Sequence, residues 1–222
     1  MKNLFFLLLT LTFITNCKKK DAVNPNNAPT TTPQTKVLIP EYKSDTALKT
    51  IFRDDFLDNR NEWILNSNDT MTSSISNGFF NFKNGNAHFS YMITKYVVID
   101  YKKDFSIKTL IKNNTATNTW GFGLVWGQDY SKNYSIFLDQ KGYFKIGKYD
   151  GVTYSVINDW TVCEIKESNT IQISRQGEYF YFLINDRHVF TIAAQTNYGH
   201  GVGFHAINKG TELKADYLEV KQ

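Results

Sequence analysis

Between Thr119 and Gly151 the chain reads TWGFGLVWGQDYSKNYSIFLDQKGYFKIGKYDG, with large apolar residues on alternate positions of three successive runs. A repeat of two is the signature of a strand, whose side chains point to opposite faces in turn. Trp120, Phe122, Leu124 and Trp126 share one face of the first run, and Gly121, Gly123 and Val125 share the other. The second run sets Tyr134, Ile136 and Leu138 against Ser135, Phe137 and Asp139; the third sets Tyr143, Lys145 and Gly147 against Phe144 and Ile146. Similar short runs occur at 50–56, 78–83, 87–92, 95–100, 105–112, 152–157, 170–176, 179–184, 188–193, 201–207 and 212–220. Turn-forming sequences (DQKG, KYDG, RQGE, NDR) punctuate them. The pattern predicts about thirteen strands, no helix, and an all-β sandwich or barrel. After Pro40 there is no proline, as expected of paired strands. EYFYFLINDRHVF predicts a hairpin turning at Asn185 and Asp186. Its first strand, Tyr179 to Ile184, lacks polar alternation, which predicts a central strand covered on both faces.

The start of the chain has a different character. Residues 1–16 carry Lys2 and then an apolar run, Leu4 to Ile14, too short to span a bilayer as a helix. This is the layout of a cleaved signal. The following ITNC resembles the bacterial lipobox, although Asn16 stands where that motif has a small residue. The resemblance implies that Cys17 becomes an acylated (palmitoylated) N-terminus, a lipid anchor that makes the membrane a partner. It implies a bacterial cell-envelope location, in the outer membrane. Residues 17–48 hold all four prolines together with Asn and Thr, a composition that reads as a tether. The domain is then residues 49–222. The second cysteine, Cys163, lies among apolar residues in DWTVCEI and reads as a buried, inert thiol. A net charge of +4 is too small, and too scattered, for a nucleic-acid partner.

Several segments together resemble the concanavalin A-like lectin/glucanase superfamily, nearest to its laminin G-like and 3-keto-disaccharide hydrolase-like domains. They are IFRDDFLDNRNEW, GFGLVWGQD, NYSIFLDQKGYFKIGKYDG, NDW, FYFLINDRHVF, and GVGFHAI with ADYLEV. The resemblance implies a jelly-roll sandwich of two curved antiparallel sheets, with FRDDF beside ADYLEV, and sugar held on the concave face.

Chemistry changes the picture mainly by what is missing. The Glu-x-Asp-x-x-Glu strand of the superfamily's glucanases, which places acid and nucleophile on one face, does not occur; Glu164 and Glu167 have no Asp between them. His88, His188, His200 and His205 show no zinc spacing. Asp54, Asp55 and Asp58 offer oxygens of the kind calcium takes, but capping and solvated roles explain them as well, so no cofactor is expected. The bare Gly121 and Gly123 face is the candidate groove floor, with Trp120, Trp126, Tyr134, Asp139, Lys145 and His205 as candidate sugar contacts. An open floor predicts that Gly123→Val is tolerated. The expected function is binding of glycan or another surface polymer without catalysis. Two alternatives stand beside it: a hydrolase of 3-keto-disaccharides using His205, Asp139 or Glu164 as base, and a structural, protein-binding domain of the envelope.

Overall fold

The computed structural model describes residues 39–114, 121–129 and 131–222. The strands are β1 (Thr50–Asp54), β2 (Asn66–Asn68), β3 (Met71–Ser76), β4 (Phe79–Asn84), β5 (Tyr91–Tyr96), β6 (Phe105–Asn113), β7 (Phe122–Asp129) and β8 (Lys132–Leu138). They continue with β9 (Tyr143–Tyr149), β10 (Tyr154–Val162), β11 (Ser168–Gln176), β12 (Tyr179–Ile184), β13 (Arg187–Ala193), β14 (Gly201–Ala206) and β15 (Glu212–Lys221). Among the described residues there is no helix, and so none long and apolar enough to cross a membrane.

All pairings are antiparallel and form two sheets. One has nine strands in the order β13-β12-β11-β6-β15-β4-β3-β2, with β1 also on β15; the other has six in the order β10-β9-β8-β7-β14-β5. First and last strands lie side by side as expected, with Phe52 opposite Val220 and Asp54 opposite Leu218.

The period-two pattern explains the core. Phe122, Leu124 and Trp126 are all buried and face the nine-stranded sheet, where the rings of Trp126 and Phe182 lie 5.8 Å apart. Phe80 of β4 stacks on Phe204 of β14 at 5.3 Å and joins the two sheets again. Phe56 and Trp63, from the loop after β1, complete this cluster. The Asp54 carboxylate holds that loop: it accepts from the Phe56 amide (2.8 Å), Asn61 Nδ2 (2.8 Å) and Trp63 Nε1 (2.7 Å). With its oxygens committed to donors, Asp54 caps a loop. Asp55 and Asp58 are paired with Arg53 and Arg60.

The hairpin at 179–193 forms as expected, with Asn185 and Asp186 both at positive φ (52° and 60°), the geometry of a tight type I′ turn. β12 is indeed covered on both faces. Phe180, Phe182 and Ile184 enter the core, while Tyr181 lies under Tyr42, ring centres 5.7 Å apart. Tyr42 belongs to a stretch read from sequence as tether. In the structure the compact unit begins at Glu41, not at residue 49. Asp45 Oδ2 accepts from Ser106 Oγ (2.7 Å), and Gln172 Nε2 donates to the Tyr42 hydroxyl (3.1 Å). Apolar composition did not mark this segment, because polar side chains largely fix it.

Two other regions differ. The runs at 87–92 and 95–100 give one strand, β5, spanning the gap between them. Asn86 Oδ1 accepts from the His88 and Phe89 amides, so the backbone turns there instead of extending. β2 and β3 went unseen because their residues are mostly Ser, Thr and Asn, at one end of the sheet with much of their surface in solvent.

Candidate functional site

The site lies on the outer face of the six-stranded sheet, the face carrying Gly123, Phe137, Lys145 and His205. A cavity of about 550 Å³ opens there. Its walls come from His88, Phe89 and Ser90 in the β4–β5 loop, Met92 of β5, Asn133 and Phe137 of β8, Tyr149 of β9, Tyr154 of β10 and His205 of β14. A second hollow of about 430 Å³ beside it is bounded by Lys145, Trp160 and Asn208, and shares Tyr154 and Ile207 with the first. The two form one groove.

The loop bearing Phe89 is set by Asn84, which is fully buried. Its Nδ2 donates to the carbonyls of Phe89 (2.9 Å), Ala206 (3.2 Å) and Ile207 (3.0 Å), and its Oδ1 accepts from the Asn86 amide (2.8 Å). One side chain thus ties the loop to the end of β14. Phe89 itself remains 67% exposed, an aromatic face presented to solvent at the groove mouth.

The glycines on this face do not form an open floor. They are sockets for the protein's own rings. Gly147 lies under Tyr154, whose hydroxyl occupies the space 2.1 Å from where a Cβ would sit. Gly121, at φ +119°, lies under Ile207, Phe137 and the tip of Trp160. Gly123 separates His205 from Phe137 in the sheet register, and the two rings meet edge-on at 4.8 Å across it. A Cβ on Gly123 would stand 1.9 Å from the Ile136 carbonyl oxygen of β8. The expectation that Gly123→Val is tolerated is therefore corrected. The face is open, but this position is closed by neighbouring backbone.

His205 forms part of the cavity wall and is 8% exposed. Asn133 Nδ2 donates to the Ser131 carbonyl (3.1 Å), leaving Asn133 Oδ1 to accept from Ser135 Oγ (3.1 Å). Ser135 has spent its only proton, so its oxygen accepts from His205 Nδ1, 2.9 Å away. That bond reaches across β7. It fixes the neutral Nδ1–H tautomer and leaves Nε2 as a bare acceptor, buried and without a protein partner. Burial pushes the imidazole pKa down from 6.5 to about 3, so the ring is neutral at any ordinary pH.

Lys145 sits at the second hollow, its ammonium 5.7 Å from the Trp160 ring centre, 5.8 Å from that of Tyr154 and 3.2 Å from Asp159 Oδ1. The remaining sequence candidates separate. Trp126 and Tyr134 stack on each other at 5.3 Å inside the core and are withdrawn as ligand contacts, because their strand positions face the opposite sheet. Asp139 accepts from the Lys141 and Tyr143 amides and closes the β8–β9 turn. Glu164 pairs with Arg187 at 2.9 Å beside a different hollow. Trp120 and Cys17 lie outside the described residues. Cys163 is half-buried and free, its thiol pushed up to about 11 by burial. Among the described residues no cluster of metal-binding side chains occurs. Sequence reasoning missed Phe89, Met92, Tyr149, Tyr154 and Trp160 as groove residues. The one available signal was the NDW segment containing Trp160.

No family model and no curated protein matches the chain. Solved structures do. An endo-β-galactosidase from Clostridium perfringens that releases GlcNAcα1-4Gal aligns at a TM-score of 0.55 and 14% identity, over 82% of this chain and 65% of that one. A carbohydrate esterase of the Shiga toxin-encoding bacteriophage phi24B aligns at 0.54 and 10%, over 78% and 98%. The CBM2 module of the evolved Dit protein of Lactobacillus casei BL23 phage J-1 aligns at 0.51 and 9%, over 78% and 95%. At these identities the likeness establishes the fold alone: a jelly-roll sandwich of two antiparallel sheets.

Proposed function

We propose that this protein is a lipid-anchored, non-catalytic module that binds neutral glycan in the groove of its six-stranded sheet. The observation carrying the proposal is the groove itself, in which the exposed rings of Phe89 and Tyr154 stand beside a few polar side chains, Ser90 and Asn133 among them. Sugars present flat C–H faces that stack on rings, and hydroxyls that need a few fixed polar partners. Similarity to a phage carbohydrate-binding module and to enzymes that process carbohydrate supports the ligand class. Catalysis is disfavoured on two counts. Among the described residues no carboxylate lines the cavity, whereas glycoside hydrolysis ordinarily uses two. His205, with a pKa near 3, is far too weak a base near neutral pH. Residues 1–17 support the anchor through their apolar run and terminal cysteine, and with it placement in the bacterial outer membrane.

A Cys17→Ser variant gives one test of both halves. It should leave the membrane fraction and, when applied to an array of neutral polysaccharides, bind at least one. Tyr154→Ala and Trp160→Ala should weaken that binding with little change in melting. A folded protein that binds no glycan would sink the ligand half, and unchanged membrane association would sink the anchor. Binding to an envelope protein in place of glycan would support the structural alternative.

A further inference from the structure

Farther along the same outer face, beyond the groove, lies a separate hollow of about 430 Å³. Met92, Thr94 and Tyr96 alternate along β5 on that face, and Tyr96 in the hollow is about 13 Å along the strand from Met92 on the groove wall. A ridge parts the two. Thr94 Oγ1 donates to Gln128 Oε1 (2.9 Å) across β14, whose glycines leave the room: a Cβ on Gly201 would stand 2.3 Å from that oxygen.

Three elements each bring one kind of group to the hollow. From β5 comes the Tyr96 ring, 67% exposed. From the end of β7 comes the Asp129 carboxylate, exposed and outside every ion pair of the described residues. The β13–β14 loop is drawn against it by Gly199, whose amide donates to the Gly127 carbonyl (2.9 Å) and whose missing Cβ would stand 2.7 Å from that of Asp129. That loop brings His200, wedged between Tyr96 and Tyr101 with ring centres 5.2 and 5.5 Å away. His200 Nδ1 accepts from the Ile99 amide (3.3 Å), which puts the ring proton on Nε2 and makes that atom a donor. No acceptor among the described residues takes it.

An ionised carboxylate only accepts and this Nε2–H only donates, so a ligand meeting both must donate and accept. Sugar hydroxyls do both, and the exposed Tyr96 ring suits a C–H face. An acidic sugar would meet the Asp129 charge. A quaternary ammonium would meet Lys132, whose ammonium already lies 5.8 Å from the centre of the Tyr198 ring that walls the hollow.

We infer that this hollow is a second site for neutral sugar, with Tyr96 as stacking ring, Asp129 as acceptor and His200 Nε2 as donor. It rests on the reading of the protein as a glycan binder and adds a second place of attachment on one face, an arrangement that holds a polymer more firmly than one site does.

The test uses the full chain carrying Cys17→Ser, labelled with 15N and titrated with cellobiose, laminaribiose, xylobiose, mannobiose, lactose and maltose. With at least one of these, amide resonances of residues 127–129 and 198–201 should shift, separately from those of residues 88–92 and 205–207 at the groove. Tyr96→Ala, at an exposed position, should abolish the first set of shifts and leave the second. Asp129→Asn should weaken binding at the first set about tenfold or more, as expected for lost hydrogen bonds to a charged group. Shifts at the groove alone would overturn the second site and leave the groove reading standing. Shifts at residues 127–129 and 198–201 alone would support it and sink the groove. If none of the six sugars moves either set, both readings fall. A response of residues 198–201 to tetramethylammonium chloride but to no sugar would make the hollow a cation site and overturn the assignment, as would unchanged affinity there in Asp129→Asn.

Discussion

Gly123 shows how one missing side chain serves two purposes. It lets His205 and Phe137 meet over β7, and it lets the β8 backbone approach to a distance no Cβ permits. Gly123→Val should therefore destabilise the domain by about 3 kcal/mol, at the upper end of overpacking costs, in urea unfolding followed by tryptophan fluorescence. Unchanged stability would mean that β7 and β8 separate easily at this point. His205 makes a prediction about pH. Its folded pKa, about 3, lies below the ordinary 6.5, so as pH falls below 6.5 the unfolded chain takes up a proton that the folded chain refuses. The stability His205 allows is full above pH 6.5 and is lost progressively toward pH 3. Between pH 7 and 5 this linkage amounts to about 2 kcal/mol. His205→Leu should show a flatter profile than the unmutated protein over that window, where carboxylates have barely begun to titrate. Parallel profiles would show that the imidazole is protonated in the folded state.

At the scale of elements, local chemistry explains both the successes and the misses. The β12–β13 hairpin was legible because Asn and Asp at its turn tolerate positive φ and its first strand is apolar throughout. β5 was misplaced because Asn86 diverts the backbone just before it, and an isolated Asn carries no signal for which amides it will cap. Asn84 is the counterpart inside the site, fixing the loop that brings Phe89 to the groove. Asn84→Ala leaves three carbonyls without that partner. It should cost about 1–3 kcal/mol in thermal melting, raise amide exchange over residues 85–90, and weaken glycan binding. A loop that stayed protected in exchange would show that other contacts hold it.

For the whole molecule, the two sheets divide the labour. The nine-stranded sheet takes residues 41–48 on its outer face through Tyr42 and Asp45, and the six-stranded sheet leaves its outer face open as the groove. A soluble form starting at Glu41 should therefore be more stable than one starting at residue 49. The shorter form uncovers Tyr181 and loses the bonds from Ser106 and Gln172 to Asp45 and Tyr42. The difference should be about 2 kcal/mol, or about 5 °C in Tm for a domain of this size, with glycan binding unaffected. Equal melting temperatures would return residues 41–48 to the tether.

The sequence by itself determined the strand content, the alternation of faces along β7 and β8, the hairpin at 185–186, and an apolar run from Leu4 to Ile14 shortly before Cys17. All of these are local: a period of two, a turn dipeptide and a run of composition are each read within a dozen residues. It also flagged His205 and Lys145, which the fold places at the groove, together with Trp126 and Tyr134, which the fold places in the core. Only the tertiary structure decided what the glycines were for, because a socket exists only once Tyr154, Trp160 and Ile207 arrive from elsewhere in the chain. It alone decided that Nε2 of His205 is left bare. That depends on a hydrogen bond to Ser135 across an intervening strand, and no periodicity within one strand can report which protons its neighbours have already spent.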